Sequence, residues 1–166
     1  AEFVQVVESL IADYQHFIEM NGGHLVLWND GPSPTFKREK TAQLLFHAMM
    51  KRYCADNDID VTPEAETGSG PIDFKFSRGH TFRVYVELKR SGNTALTHGL
   101  VDQLPAYIAA ERAGVGFFVV LKEKSEHDDR INAVRDRVQE VRERTGFDLR
   151  KGLGPFVLQT SVGTDS

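Results

Sequence analysis

The 166-residue chain holds one cysteine, Cys54. That excludes an internal disulfide and fits a reducing, cytoplasmic setting. Cys54 falls in an apolar-periodic stretch, where a thiol behaves as a small core residue. No apolar run approaches the roughly 20 residues that span a bilayer, and no leader pattern opens the chain, so no membrane partner is expected. Net positive charge is also missing. The formal charge of −4 argues against a protein that coats nucleic acid, since phosphate binding draws on Lys and Arg. The acids concentrate in residues 56–60 and in the segment after Glu123, however. Lys37, Arg38, Lys40, Lys75, Arg78, Lys89 and Arg90 allow a local basic surface. Repeats and low-complexity segments are absent. The first residue is Ala, which sets the expectation of a processed or trimmed chain, or a piece of a larger protein.

A hydrophobic share of 40% and a charged share of 27% describe an ordinary globular chain, read as one domain over residues 1–166. Residues 2–20 predict a helix, with Val4, Val7, Leu10, Ile11, Tyr14 and Ile18 at helical spacing. Residues 24–28 suggest a short extended piece. Ser33 and Pro34 suit the cap and first turn of a second helix ending near Cys54, its apolar face made by Leu44, Leu45, Ala48 and Met49. Residues 61–66 form a strand candidate. Residues 71–76 and 81–90 predict a hairpin. A helix over 96–113 precedes a buried strand over 115–121. Ser125 and Asp128 suit the start of a last helix, with a stripe of Ile131, Val134, Val138 and Val141. Glu126 with Arg130, and Glu140 with Arg144, are spaced to pair across one turn. Residues 156–158 suggest a final strand. This order predicts an α/β fold, a central mixed β-sheet flanked by helices.

The hairpin carries the chemistry. Its period of two sends Phe82, Val84, Val86 and Leu88 one way and Arg83, Tyr85, Glu87 and Lys89 the other. In the preceding strand Ile72, Phe74 and Phe76 alternate with Asp73, Lys75 and Ser77. Two apolar faces can share a core, and the opposite face then gathers Asp73, Glu87 and Lys89. Repulsion between Asp73 and Glu87 needs an offsetting charge, which a divalent cation supplies. Hard oxygen ligands without a His or Cys cluster favour Mg²⁺, with Mn²⁺ able to substitute, over zinc.

Pro71-Ile72-Asp73 followed by Glu87-Leu88-Lys89 resembles the PD-(D/E)XK nuclease superfamily. One residue, Ile72, separates the proline from the aspartate. Gln103-Leu104-Pro105-Ala106-Tyr107 is similar to the Q-x-x-x-Y element of its RecB-like and Cas4-like branch. The resemblance covers roughly residues 36–121 and implies a restriction-endonuclease-like core. It implies that Asp73, Glu87 and the Leu88 carbonyl bind the metal, with Glu39 as a further acidic ligand from the preceding helix. It further implies that Lys89 orients or activates the attacking water, while Gln103 and Tyr107 grip the nucleic-acid backbone. The function so implied is Mg²⁺-dependent phosphodiester hydrolysis, with DNA favoured over RNA as partner, and it leaves room for further domains or a homodimer. The rival reading is a catalytically inactive nuclease-fold module that binds nucleic acid or a partner protein.

Weaker candidates stand beside these. Glu64 and Glu66 could add a ligand but read more simply as solvated strand-end acids. His98 could meet phosphate but suits a surface or capping role. Trp28 reads as a core aromatic. Gly68-Ser69-Gly70 lacks the Gly-Lys-Ser/Thr ending of a phosphate-binding P-loop.

Overall fold

The structure, a computed structural model, describes residues 2–67, 70–80, 82–110, 115–146, 148–149 and 156–159; within these, the side chains of residues 64–67, 70–72, 148–149 and 156–159 are not described. The side chains of Glu64, Glu66 and Ile72 and the residues Gly68 and Ser69 therefore lie outside the described residues.

Helix α1 (Glu2–Met20) buries the predicted stripe from Val4 to Ile18 and adds Phe3 to it. The next segment is helical rather than extended: α2 (His24–Leu27) follows a Gly22-Gly23 turn. The turn wins over the apolar run because the Gly23 N–H returns to the Phe17 carbonyl at 2.9 Å and the Leu25 and Val26 N–H groups close onto the Gly22 and Gly23 carbonyls. Residues 33–34 do not start a helix. Trp28 and Phe36 pair as a small antiparallel bridge. Asn29 N–H donates to the Thr35 carbonyl and Lys37 N–H to the Leu27 carbonyl, both at 2.8 Å, which closes residues 29–35 into a loop and delays the helix past Lys37.

Helix α3 (Glu39–Asp56) therefore starts at Glu39, with no side-chain cap from Arg38. Its buried face is Ala42, Phe46, Met50 and Cys54; of the predicted residues, Leu45 and Met49 are half-buried at the border of that core, while Leu44, 58% exposed, and Ala48 face away from it. Phe46 selects this register by packing its ring against Phe74, tilted, and Phe76, edge-on, at centroid distances of 4.8 and 6.2 Å. Burying such a side chain contributes roughly 1.5–3 kcal/mol.

Among the described residues, six strands form one sheet: β1 (Asp60–Thr67), β2 (Gly70–Arg78), β3 (Phe82–Arg90), β4 (Val115–Lys122), β5 (Asp148–Leu149) and β6 (Phe156–Gln159). β1, β2 and β3 are antiparallel neighbours, β3 and β4 run parallel, and β5 and β6 both pair parallel to β4. The sheet is mixed and flanked by helices, as expected. Val84, Val86, Leu88, Phe117, Val119 and Leu121 enter the core under α1 and α3. Tyr85, Phe118 and Val120 enter a second core on the other face. A strand buried on both faces reads as a continuous apolar run, which is why β4 carries no visible alternation.

The connection from β3 to β4 is one helical run over residues 96–110, as expected, but it is widened in its middle. It consists of α4 (Leu96–His98), a π-helical turn over Gly99–Gln103 and α5 (Leu104–Ala110). Pro105 explains the widening: it has no N–H, and its ring crowds the carbonyl four residues back, that of Val101. The helix widens so that Leu104 N–H reaches Gly99, and the Val101 carbonyl accepts from the Arg144 guanidinium. Gly116 lets α5 lie against β4, since a Cβ there would stand 2.6 Å from Ile108 Cδ1.

A 3₁₀ turn (Ser125–His127) leads into α6 (Asp128–Thr145) without a side-chain cap. Its stripe of Ile131, Val134, Val138 and Val141 is buried as predicted. The expected pairs are replaced: Arg130 and Arg144 make tertiary contacts, donating to the Asn93 and Val101 carbonyls, and Glu140 pairs within the helix with Arg137, three residues back. No helix among the described residues is long and apolar enough to cross a membrane.

Candidate active site

The site forms where the sheet divides. β2 and β3 are paired from Arg78↔Phe82 to Phe74↔Val86. Beyond that point β2 continues with β1, while Glu87 to Arg90 continue with β4. The edge of β3 facing the gap has lost its neighbour, and its amides need acceptors. Two carboxylates supply them. Leu88 N–H donates to Asp73 Oδ2 at 2.7 Å and Arg90 N–H to Glu39 Oε2 at 2.9 Å. The N–H and C=O of one strand residue face the same edge, so the Leu88 carbonyl also points into the gap.

Each carboxylate is held by a second donor. Gln43 Nε2 donates to Asp73 Oδ1 at 2.9 Å. Asn93 Nδ2 donates to Glu39 Oε2 at 3.0 Å. Lys89 Nζ lies 3.1 Å from Glu87 Oε1 and 4.0 Å from Glu39 Oε1. Glu87 is 3% exposed, and its Oε2 is buried without a hydrogen-bond partner. Gly99 makes room for the lysine stem: a Cβ there would sit 3.1 Å from Lys89 Cε. The structure thus brings Asp73, Glu87, Lys89 and Glu39 together and sets the Leu88 carbonyl beside them.

Three carboxylates around one ammonium leave an excess of buried negative charge. Burial, then the charge of Glu87, pushes the Asp73 carboxyl up to about 8, against the opposing Leu88 N–H and Lys89. Burial also raises Glu87, and its pairing with Lys89 does not cancel the effect. For Lys89 burial works downward, but Glu87, Glu39 and Asp73 together hold the ammonium above its ordinary value. A site that raises both acids and has an orphaned carboxylate oxygen suits an added cation.

Among the described residues, no three His, Cys, Asp or Glu side chains stand close enough to cage a metal unaided. The donor chemistry nonetheless fits Mg²⁺, which binds through one or two carboxylates and keeps several waters. Asp73, Glu87 and the Leu88 carbonyl form such a partial set.

The Q-x-x-x-Y pair is divided by the structure. Tyr107 is 4% exposed and belongs to the second core with Leu104 and Ile108. Gln103 is half-buried and ends the π turn, with its Oε1 buried and lacking a hydrogen-bond partner. His98 is an exposed partner of Asp102, at 2.9 Å. Trp28 packs edge-on against Phe36 beside the first core.

Sequence reasoning missed a polar brace at the end of β3. Glu123 accepts from Arg90 Nε at 2.8 Å, Arg90 Nη2 at 3.0 Å and Gly92 N–H at 3.0 Å. Burial alone would raise Glu123, but these partners bring its pKa below the ordinary range. Ser91 Oγ takes the Glu123 N–H at 2.9 Å and meets His127 Nδ1 at 2.7 Å. The Arg90 guanidinium also lies 5.2 Å from the centroid of the Phe36 ring. The signal was the Arg90-Ser91-Gly92-Asn93 run itself, whose partners are more than 30 residues away.

No curated protein and no solved structure matches the chain. A family model described as a domain of unknown function (DUF8371) matches residues 3–125, from α1 through β4, and takes in every candidate residue above. The chain belongs to that family.

Proposed function

We propose that the chain is a metal-dependent nuclease of the PD-(D/E)XK type, built on a restriction-endonuclease-like core and acting on DNA. One observation carries this reading. At the fork of the sheet, Asp73 is bound to the Leu88 amide while Lys89 pairs with a Glu87 whose second oxygen is left without a partner.

Asp73, Glu87 and the Leu88 carbonyl hold the cation, with Glu39 presenting Oε1 beside Lys89. A bound Mg²⁺ supplies Lewis-acid polarisation of the phosphate and lowers the pKa of a water. Lys89 positions that water and offsets charge developing on the phosphoryl oxygens. Its place between Glu87 and Glu39 suits Lys89 to act as a charge and donor. Gln103, at the rim of the π turn, contacts the backbone, and such contacts position the substrate without reading sequence. Tyr107 acts from the core side, supporting the helix that carries Gln103.

The test is cleavage of linear DNA, circular DNA and RNA with and without Mg²⁺, by wild type and Asp73→Ala. Metal-dependent products that the substitution abolishes support the reading, and the preferred substrate fixes its class. A second reading, an inactive nuclease-fold module that binds nucleic acid or a partner, is favoured by the lack of a ready-made cage among the described residues. Retention of DNA without cleavage at any Mg²⁺ or Mn²⁺ concentration would select it.

A further inference from the structure

We infer that Gln43 is a positioning residue that sets the plane of the Asp73 carboxylate. The inference rests on the reading of Asp73 as a metal ligand. Gln43 stands four residues after Glu39, so one face of α3 presents both side chains to the fork. Glu39 reaches the Arg90 amide, and Gln43 reaches Asp73 Oδ1 at 2.9 Å across 30 residues of sequence.

The other Asp73 oxygen is occupied by the Leu88 amide at 2.7 Å. A carboxylate turns readily about its last torsion, which is broad and two-fold. One donor on one oxygen leaves that rotation free. Two donors from opposite sides, α3 and β3, stop it. Each oxygen has two lone-pair directions, so one direction on each still faces a cation. The chemistry of the donor matters. An amide is neutral and orients Asp73 without cancelling the negative charge that draws the cation. Lys89, the ammonium of the site, is paired to Glu87 instead. The carboxylate proposed to bind the cation is thus fixed by neutral N–H groups alone, and the charged donor is kept for the neighbour.

Gln43→Met tests this, since it keeps the length of the side chain and removes the donor. Leu44→Met, at the exposed neighbouring position, is the control. Two quantities are measured: hydrogen exchange of the Leu88 amide in metal-free protein, and the Mn²⁺ dissociation constant by calorimetry. Gln43→Met should speed Leu88 exchange about two- to tenfold, the factor that one lost hydrogen bond carries, with the Val86 amide unchanged. Its Mn²⁺ affinity should fall about tenfold or more, as for other groups that orient a ligand. Leu88 exchange and Mn²⁺ affinity both at wild-type values overturn the assignment and leave the metal site standing. Faster exchange along all of β3 also overturns it, because Gln43 then supports the strand rather than Asp73. Absence of Mn²⁺ binding in the wild type counts against the nuclease reading instead, and Leu88 exchange then decides the role of Gln43 alone. Should Gln43→Met fail to fold, Gln43→Glu replaces it, keeping the shape and turning the donor into an acceptor.

Discussion

Asp73 stands where a strand is missing: its Oδ2 accepts the Leu88 N–H at 2.7 Å just past the last β2–β3 pair, Phe74↔Val86. A backbone amide on the open edge of β3 is satisfied by a side chain, and the same contact places a carboxylate beside the Leu88 carbonyl. The fork in the sheet and the cluster of charges are one feature. The sheet can divide because carboxylates replace the lost ladder, and the carboxylates are held because the edge amides need them.

Removing the lysine tests the division of labour. Lys89→Met keeps the stem that lies against Gly99 and removes the charge. Metal binding should persist, and cleavage should drop roughly 10²-fold or more, the scale for losing a group that stabilises transition-state charge. Single-turnover kinetics with calorimetry in parallel give both numbers; wild-type cleavage would make Lys89 a structural partner of Glu87 only.

The raised Asp73 carboxyl has a consequence for stability. Its native value of about 8 lies well above the ordinary value near 4. Between those values the native state binds more protons than the unfolded chain, so stability falls as pH rises through the window. The thermal midpoint of metal-free protein should therefore decline from about pH 5 to about pH 8, and Asp73→Asn should flatten the decline. Mn²⁺ should raise the midpoint more at the upper end, where fewer protons must leave. A midpoint that climbs across the window contradicts the assignment.

On the helix beyond β3, neighbouring positions should respond differently. Leu104 is fully buried, so Leu104→Ala should cost about 2–5 kcal/mol of stability. Gln103→Ala should leave the fold intact and weaken cleavage by about 0.5–3 kcal/mol in kcat/KM, depending on whether its partner is neutral or a charged phosphate. Denaturant melts and kinetics on both variants decide; a Gln103→Ala that unfolds with unaltered cleavage per folded molecule assigns Gln103 to the core.

Cys54 should be inert. It is 1% exposed and burial pushes its thiol up to about 11, so thiolate is scarce near neutrality. A thiol reagent should react with native protein only at the rate of unfolding and at once in denaturant. Rapid native reaction would show that the face of α3 under Cys54 is open.

Much of this was legible in the sequence, for local reasons. Period-two alternation in residues 82–90 put Glu87 and Lys89 on one face, and the stripe from Ile131 to Val141 marked the buried side of α6, because each pattern belongs to a single element. Other features depended on distant partners. The buried face of α3 depended on Phe74 and Phe76, since Leu44, Leu45, Phe46, Met49 and Met50 supply apolar residues on more than one side of the helix. Pro105 lies inside the helix expected over 96–113, and whether the chain would kink, stop or widen into a π turn there depended on Arg144 reaching the freed Val101 carbonyl. Gln43 and Glu123 carry no local mark at all: a glutamine on a helix and a glutamate after a strand become significant only once Asp73 and Arg90 are beside them.

The most direct test of the central claim is the initial rate of DNA phosphodiester cleavage as Mg²⁺ is titrated into wild type and Asp73→Asn. The account predicts a saturating, Mg²⁺-dependent rate for wild type, abolished by chelation, and a folded Asp73→Asn variant with that rate largely lost. Equal rates in the two proteins, or cleavage that survives chelation, would contradict it.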